Sequence, residues 1–102
     1  MRLPTLIFDE IDSGTSGKVA NVIGDLMKKI GCKSQIIAIS HLAQVAAKAS
    51  NHFKVYKILS SNKPKTILRK LNRQERIEEI AAMISADNIT NPALDQAIEL
   101  LK

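Results

Sequence analysis

The first apolar run of the chain is short and uninterrupted. Pro4 precedes Thr5-Leu6-Ile7-Phe8, and the run stops at Asp9-Glu10. An apolar run without alternation predicts a strand buried on both faces, as in a parallel sheet. A turn follows over Asp12-Ser13-Gly14-Thr15-Ser16-Gly17, residue types that tolerate unusual backbone angles or cap a helix. Val19, Val22, Ile23, Leu26 and Ile30 then recur at helical spacing and predict one apolar stripe, with Gly31 placed to end the helix. Gln35-Ile36-Ile37-Ala38-Ile39 predicts a second buried strand ending at Ser40-His41, and Leu42 to Ala49 a short helix. Strand, helix, strand, helix is a βαβ unit, whose strands run parallel and whose crossover is right-handed.

The pattern then changes. Phe53, Val55 and Ile58 predict one strand and Thr66 to Leu71 another. Ser60-Ser61-Asn62-Lys63-Pro64 between them is turn chemistry, so the pair reads as a hairpin. Ile77, Ile80, Ala81 and Ile84 mark a helix, and Leu94, Ala97, Ile98 and Leu101 a second. Asn91 and Pro92 supply an N-cap and a first helical residue for the latter. Two parallel strands and a hairpin make a thin α/β sheet. Strands of this pattern ask for cover on both faces, so the expectation is the end of a larger domain.

Composition narrows the class. A length of 102 residues gives one small unit over 1–102, and 45% hydrophobic with 25% charged residues argues against a disordered chain. Aromatics are 3%, which weakens any reading built on base stacking. No apolar run approaches the roughly 20 residues of a membrane span, so no membrane partner is expected. The first residues lack the charged and apolar regions of a secretory signal. Cys32 is the single cysteine, which excludes an intrachain disulfide and a cysteine metal site and points to the cytoplasm. It reads as an incidental thiol, Met27 and Met83 as core filler, and His52 as structural.

The net charge is +5, and the excess lies in one segment. From Lys54 to Arg76 the basic residues are Lys54, Lys57, Lys63, Lys65, Arg69, Lys70, Arg73 and Arg76, against Glu75 alone. Such a run either keeps a surface wet or docks phosphates.

The candidate chemistry sits at strand ends. An apolar strand that delivers Asp9 and Glu10 at its C-terminal end does so where open α/β sheets bind ligands. Successive strand residues point to opposite faces, so the two carboxylates share a task only if the backbone turns between them. Nucleotide hydrolysis offers two separate tasks, holding Mg2+ and positioning or deprotonating the attacking water. Two solvated acids at a strand end are the alternative. A parallel sheet places His41 on the same edge, where a histidine either bonds a phosphate or serves the fold.

The conjunction resembles a known family. Pro4-Thr5-Leu6-Ile7-Phe8-Asp9-Glu10-Ile11-Asp12-Ser13-Gly14-Thr15-Ser16-Gly17 is similar to the Walker B strand and D-loop of SMC-like ABC ATPases. Within that group the likeness is to a bacterial DNA repair member. Ile39-Ser40-His41-Leu42-Ala43-Gln44-Val45-Ala46 resembles the stretch around its switch histidine, and Asn51-His52-Phe53-Lys54-Val55 with Arg76 to Ala81 resembles its last part. The resemblance implies that Asp9 supports Mg2+ and that Glu10 polarises the attacking water. His41 would sense the γ-phosphate of ATP. Asp12, Ser13, Gly14, Ser16 and Gly17 would belong to a D-loop that contacts a second head across ATP. It further implies an ATP-dependent pair of heads acting on DNA in double-strand break repair and recombination, in a cytoplasmic, nucleoid-associated protein. Ser40 and Ala43 depart from the Thr and Pro of that pattern, and Ser85-Ala86 from a Gly pair before Asp87-Asn88.

Some parts of such a head are missing from this sequence. A P-loop reads G-x-x-x-x-G-K-[ST]. Ser16-Gly17-Lys18 is followed by Val19, and Asp12 stands where the first glycine belongs, so this stretch is no phosphate cradle. The Ser-Gly-Gly signature and a heptad region are also absent from these 102 residues. The expectation is therefore a partial P-loop NTPase head that begins at its Walker B strand, with Met1 an added start. The N-terminal part of the same head is its first partner. Alone, the chain is expected neither to bind ATP tightly nor to hydrolyse it. The competing expectation is a basic nucleic-acid-binding module in which the acids are structural; a third is the head of another SMC-like or ABC ATPase.

Overall fold

A computed structural model describes residues 4–10, 16–86 and 88–102. The elements are β1 (Leu6–Asp9), α1 (Gly17–Gly31), β2 (Ile36–Ile39), α2 (Ala43–Ala46), β3 (Phe53–Ser60), β4 (Lys63–Lys70), α3 (Arg73–Ile84) and α4 (Asn91–Leu100). The architecture is α/β, and the expected order is present. β1 and β2 pair in parallel with α1 as crossover, and β3 and β4 form a separate antiparallel hairpin.

Each element has a local cause. Ser16 caps α1 by accepting from the Val19 N–H, and Lys28 and Lys29 sit in its last turn, where cations offset the helix dipole. The hairpin turns on two residues, Ser61 and Asn62, with φ of 51° and 62°. Two successive left-handed residues make the type I′ turn, whose twist matches that of the strands it joins. The turn is tighter than expected, so Pro64 lies in the strand opposite Leu59. α3 opens with a capping box: Glu75 N–H donates to Asn72 Oδ1 at 2.8 Å, and Asn72 N–H to Glu75 Oε1 at 3.0 Å. α4 is capped by Thr90 rather than Asn91. The Thr90 hydroxyl accepts from the Ala93 N–H, and Pro92 falls inside the first turn.

The core sits among the helices. Ile80, Ala81, Ala93, Ala97, Ala43 and Ala47 form one buried cluster that joins α2, α3 and α4, with Leu71 buried nearby. Most of these residues are alanines, so the helices approach closely. Two burial expectations and one helix length are corrected here. The β1–β2 strands are not buried on both faces: Ile7, Ile37 and Ile39 are exposed, because none of the described residues packs on that side. The apolar stripe of α1 is not its contact face, since Val19, Val22 and Leu26 are exposed and Ala20 and Gly24 are buried. α2 comes so close that a Cβ on Gly24 would stand 3.1 Å from the Gln44 carbonyl oxygen and 3.5 Å from Val45 Cα. α2 is also shorter than the expected Leu42 to Ala49, because Lys48 and Ala49 N–H reach back only three residues, to Val45 and Ala46.

The hairpin is fastened at its base. Leu71 N–H donates to the His52 carbonyl at 2.9 Å, and Lys54–Glu79 and Arg69–Glu75 ion pairs tie both strands to α3. Its outer face, with Phe53, Val55, Leu59 and Leu68, is exposed. A radius of gyration of 14.7 Å exceeds the about 13 Å of a compact chain of this length. The thin sheet and the projecting hairpin account for the difference.

Candidate functional site

The parallel register brings the candidate residues to one edge. Leu6, Ile7, Phe8 and Asp9 pair with Ile36, Ile37, Ala38 and Ile39, so Asp9 lies beside the residue two before His41. Strands in such a pair are about 4.8 Å apart. Leu6 N–H donates to the Gln35 carbonyl at 2.9 Å, and Glu10 N–H to the Ile39 carbonyl at 2.8 Å. Asp9, Glu10 and His41 are all exposed.

Between the two carboxylates the backbone does turn. Glu10 has φ of 53°, left-handed for a residue with a side chain. That conformation costs about 1–3 kcal/mol in a non-glycine residue and concentrates where function holds it in place. Here the bond to Ile39 holds it. The pleat alternation of β1 thus ends at Glu10, and Asp9 and Glu10 are no longer bound to face opposite ways. No sequence signal marks this turn.

His41 rides on a short platform. Ser40 Oγ accepts from the Leu42 N–H at 3.0 Å, which fixes the start of α2. The exit of α2 is fixed by a residue of the basic run, for which the charge pattern offered either a wet surface or phosphate docking. Arg76 is half-buried, and its Nη2 donates to the carbonyls of Ala46 (3.1 Å), Ala47 (3.3 Å) and Ala49 (2.6 Å). Burial, and then the charge of Arg73, lowers its pKa from the ordinary arginine value. Its position four residues before Ile80, on the core side of α3, was the signal available in the sequence.

Of the residues that the resemblance assigns to a D-loop, Asp12, Ser13 and Gly14 lie outside the described residues. Ser16 and Gly17 open α1, and a Cβ on Gly17 would stand 3.1 Å from Gln44 Nε2. Asp9 offers the hard oxygen donor that Mg2+ prefers. Among the described residues no cluster of three or more His, Cys, Asp or Glu side chains is close enough to hold a metal ion.

The basic segment divides in the fold. Lys54 and Arg69 are paired with Glu79 and Glu75, and Arg76 is committed to α2. Hydrogen bonding to Glu75 raises the pKa of Arg69, while the Asn72 N–H and then Arg69 lower that of Glu75. Lys57, Lys63, Lys65 and Lys70 make no ion pair among the described residues. His52, beside Arg76, has its pKa lowered first by burial and then by that guanidinium, with Glu79 opposing. Cys32 is an exposed free thiol. No helix among the described residues is long and apolar enough to cross a membrane.

No family model matches the chain. Its fold matches a solved structure from work on the structural biochemistry of ATP-driven dimerization and DNA-stimulated activation of SMC ATPases. The TM-score is 0.65 at 20% identity, over 84% of this chain and 51% of that one. The fold is therefore that of part of an SMC-type ATPase head. The sequence is 46% identical to the DNA repair protein RecN of Rickettsia conorii over 98 residues, 96% of this chain and 18% of that protein. It is 40% identical to RecN of Bacillus subtilis over 98 residues, and 39% to RecN of Haemophilus influenzae over 99, at 17% and 18% of those proteins. The chain is homologous to the C-terminal part of RecN, and it spans less than a fifth of the curated relatives it matches.

Proposed function

We propose that this chain is the C-terminal part of a RecN-like ATPase head and supplies the Walker B acids, the D-loop and the switch histidine for ATP hydrolysis between two heads. The observation that carries the reading is the register: Asp9 opposite Ile39, and Glu10 bonded to the Ile39 carbonyl, set two carboxylates and His41 at one end of a parallel pair. Asp9 is the Mg2+ contact, and Mg2+ bound with ATP would neutralise phosphate charge. The Glu10 carboxylate orients the attacking water and accepts its proton. The His41 ring N–H donates to an oxygen of the terminal phosphate. Asp12, Ser13, Gly14, Ser16 and Gly17 have the role of a D-loop toward the second head. The N-terminal part of the head supplies the phosphate cradle that this sequence lacks. DNA is the partner of the whole, double-strand break repair and recombination its process, and the nucleoid its place in the cytoplasm.

The test is ATP binding and turnover by this chain alone and by the full-length ATPase that carries it. The reading expects no tight binding and no turnover from the chain alone, and both from the full-length protein. Turnover by the chain alone that survives Glu10→Gln would overturn it.

A second reading has its own observation. Lys57, Lys63, Lys65 and Lys70 are the lysines of the hairpin that pair with no acid among the described residues, and they lie on both faces of a ribbon of the kind that fits a DNA groove. Under this reading the hairpin is a phosphate-docking arm.

A further inference from the structure

The ring of His41 is only as well placed as the segment that bears it. On one side that segment is anchored by the β1–β2 register and the Ser40–Leu42 bond. On the other side α2 has four residues, a single turn that cannot fix its own position. Its N-cap, Leu42, makes no side-chain cap bond, and the Lys48 and Ala49 N–H groups that follow the helix reach back only three residues. The last carbonyl of α2 and two just beyond it accept from Arg76 of α3: Ala46 at 3.1 Å, Ala47 at 3.3 Å and Ala49 at 2.6 Å, all from Nη2.

Arg76 forms no salt bridge with an acidic side chain among the described residues. Its charge is aimed at the carbonyl end of a helical turn, where a cation is favoured. The same α3 carries Ile80 and Ala81, which pack against Ala43 and Ala47 of the α2 segment and Ala93 and Ala97 of α4. α2 therefore lies between α1, which meets it through Gly24, and a guanidinium held by the core.

We propose that Arg76 is a positioning residue: by gripping the three carbonyls at the end of α2, it ties the C-terminal helix pair to the height of α2 and so to the place of His41 beside Asp9 and Glu10. The inference rests on the reading of His41 as the switch histidine. Arg76 touches no part of the proposed nucleotide site. Its loss moves the rate of the chemical step and leaves nucleotide affinity in place.

The experiment is steady-state ATP hydrolysis by the full-length ATPase carrying Arg76→Ala or Arg76→Lys, with KM, the melting temperature and the ring resonances of 13C-labelled His41 read in parallel. Arg76→Ala lowers kcat by about 10- to 100-fold, the range for a displacement near 1 Å, with KM for ATP little changed and the His41 resonance shifted. Arg76→Lys, whose ammonium still donates to a carbonyl, recovers part of kcat and keeps the fold if the alanine variant loses it. The proposal is overturned if the folded variants keep kcat within about twofold, a change too small for lost positioning. It is also overturned if kcat falls only with the folded fraction while the His41 resonance stays put. His41→Ala and Glu10→Gln separate the two levels. If they abolish turnover and Arg76→Ala does not, the positioning role alone fails. If they leave turnover intact, the site reading fails and the positioning role with it.

Discussion

Replacing Ile80 with alanine tests where the stability of the chain resides. Ile80 is the largest fully buried side chain, at 0% exposure, and it lies where α2, α3 and α4 meet. The substitution removes three carbons, worth about 2.4 kcal/mol at about 0.8 kcal/mol each. A cavity term adds to this, and buried isoleucines truncated to alanine lose about 2–5 kcal/mol in total. The buried residues of the cluster, Ala43, Ala47, Ala81, Ala93 and Ala97, have side chains too short to swing in, and the larger Ile77, Met83 and Leu94 at its margin fill the space only in part. The loss therefore falls at about 3–4 kcal/mol, a large share of the about 5–15 kcal/mol that a domain of this size has. Urea unfolding followed by circular dichroism measures it, with Ile98→Ala as the comparison. Ile98 is 39% exposed on α4, and its truncation costs about 1 kcal/mol or less. An Ile80→Ala loss within about 1 kcal/mol of the Ile98→Ala loss would refute the placement of the core.

Two further outcomes follow from the electrostatics. His52 has a folded pKa below its ordinary value of 6.5, so the unfolded chain takes up its proton first as pH falls. Its contribution is fully present above pH 6.5 and declines as pH falls from there through the folded pKa; hydrogen exchange of α3 amides across this window shows the decline, and His52→Asn flattens it. If the hairpin is a phosphate-docking arm, reversing Lys57, Lys63, Lys65 and Lys70 to Glu lowers DNA affinity. It also reduces the dependence of log K on log salt by about 0.9 for each phosphate left unneutralised. An unchanged slope refutes the arm. Reversal of Arg69 is a poor substitute, because it breaks the pair with Glu75 in the α3 capping box.

Much of the architecture was legible in the sequence because turn residues separate runs of different period. Leu6 to Phe8 and Ile36 to Ile39 have no alternation and became parallel strands; Ile77, Ile80, Ala81 and Ile84 have helical spacing and became α3. Burial was less legible. The pattern of Ile7 and Ile37 describes what those residues would pack against, which the described residues do not provide. The stripe of Val19, Val22 and Leu26 outweighs Ala20 and Gly24 in hydrophobicity, yet only the small pair admits α2 at van der Waals distance. Thr90 displaced Asn91 as cap because either residue type can serve, and one residue of register decided it.

At the candidate site the shared edge of Asp9, Glu10 and His41 was legible from the strand-end rule, and the register agrees with it. The left-handed backbone of Glu10 was not, since no glycine or asparagine announces it. Arg76 was hidden for a different reason. A run of eight basic residues reads as one surface, and only the fold separates the charges paired with Glu79 and Glu75 from the one that holds α2.

The central claim is that Glu10 works on water at a site completed by the rest of the head. The direct measurement is single-turnover ATP hydrolysis by the full-length protein and its Glu10→Gln variant, with ATP binding measured on the same samples. The account predicts that Glu10→Gln keeps ATP binding and loses about 100-fold or more of the hydrolysis rate, as expected for removal of a general base. Hydrolysis at the parent rate by a Glu10→Gln protein that binds ATP normally would contradict it.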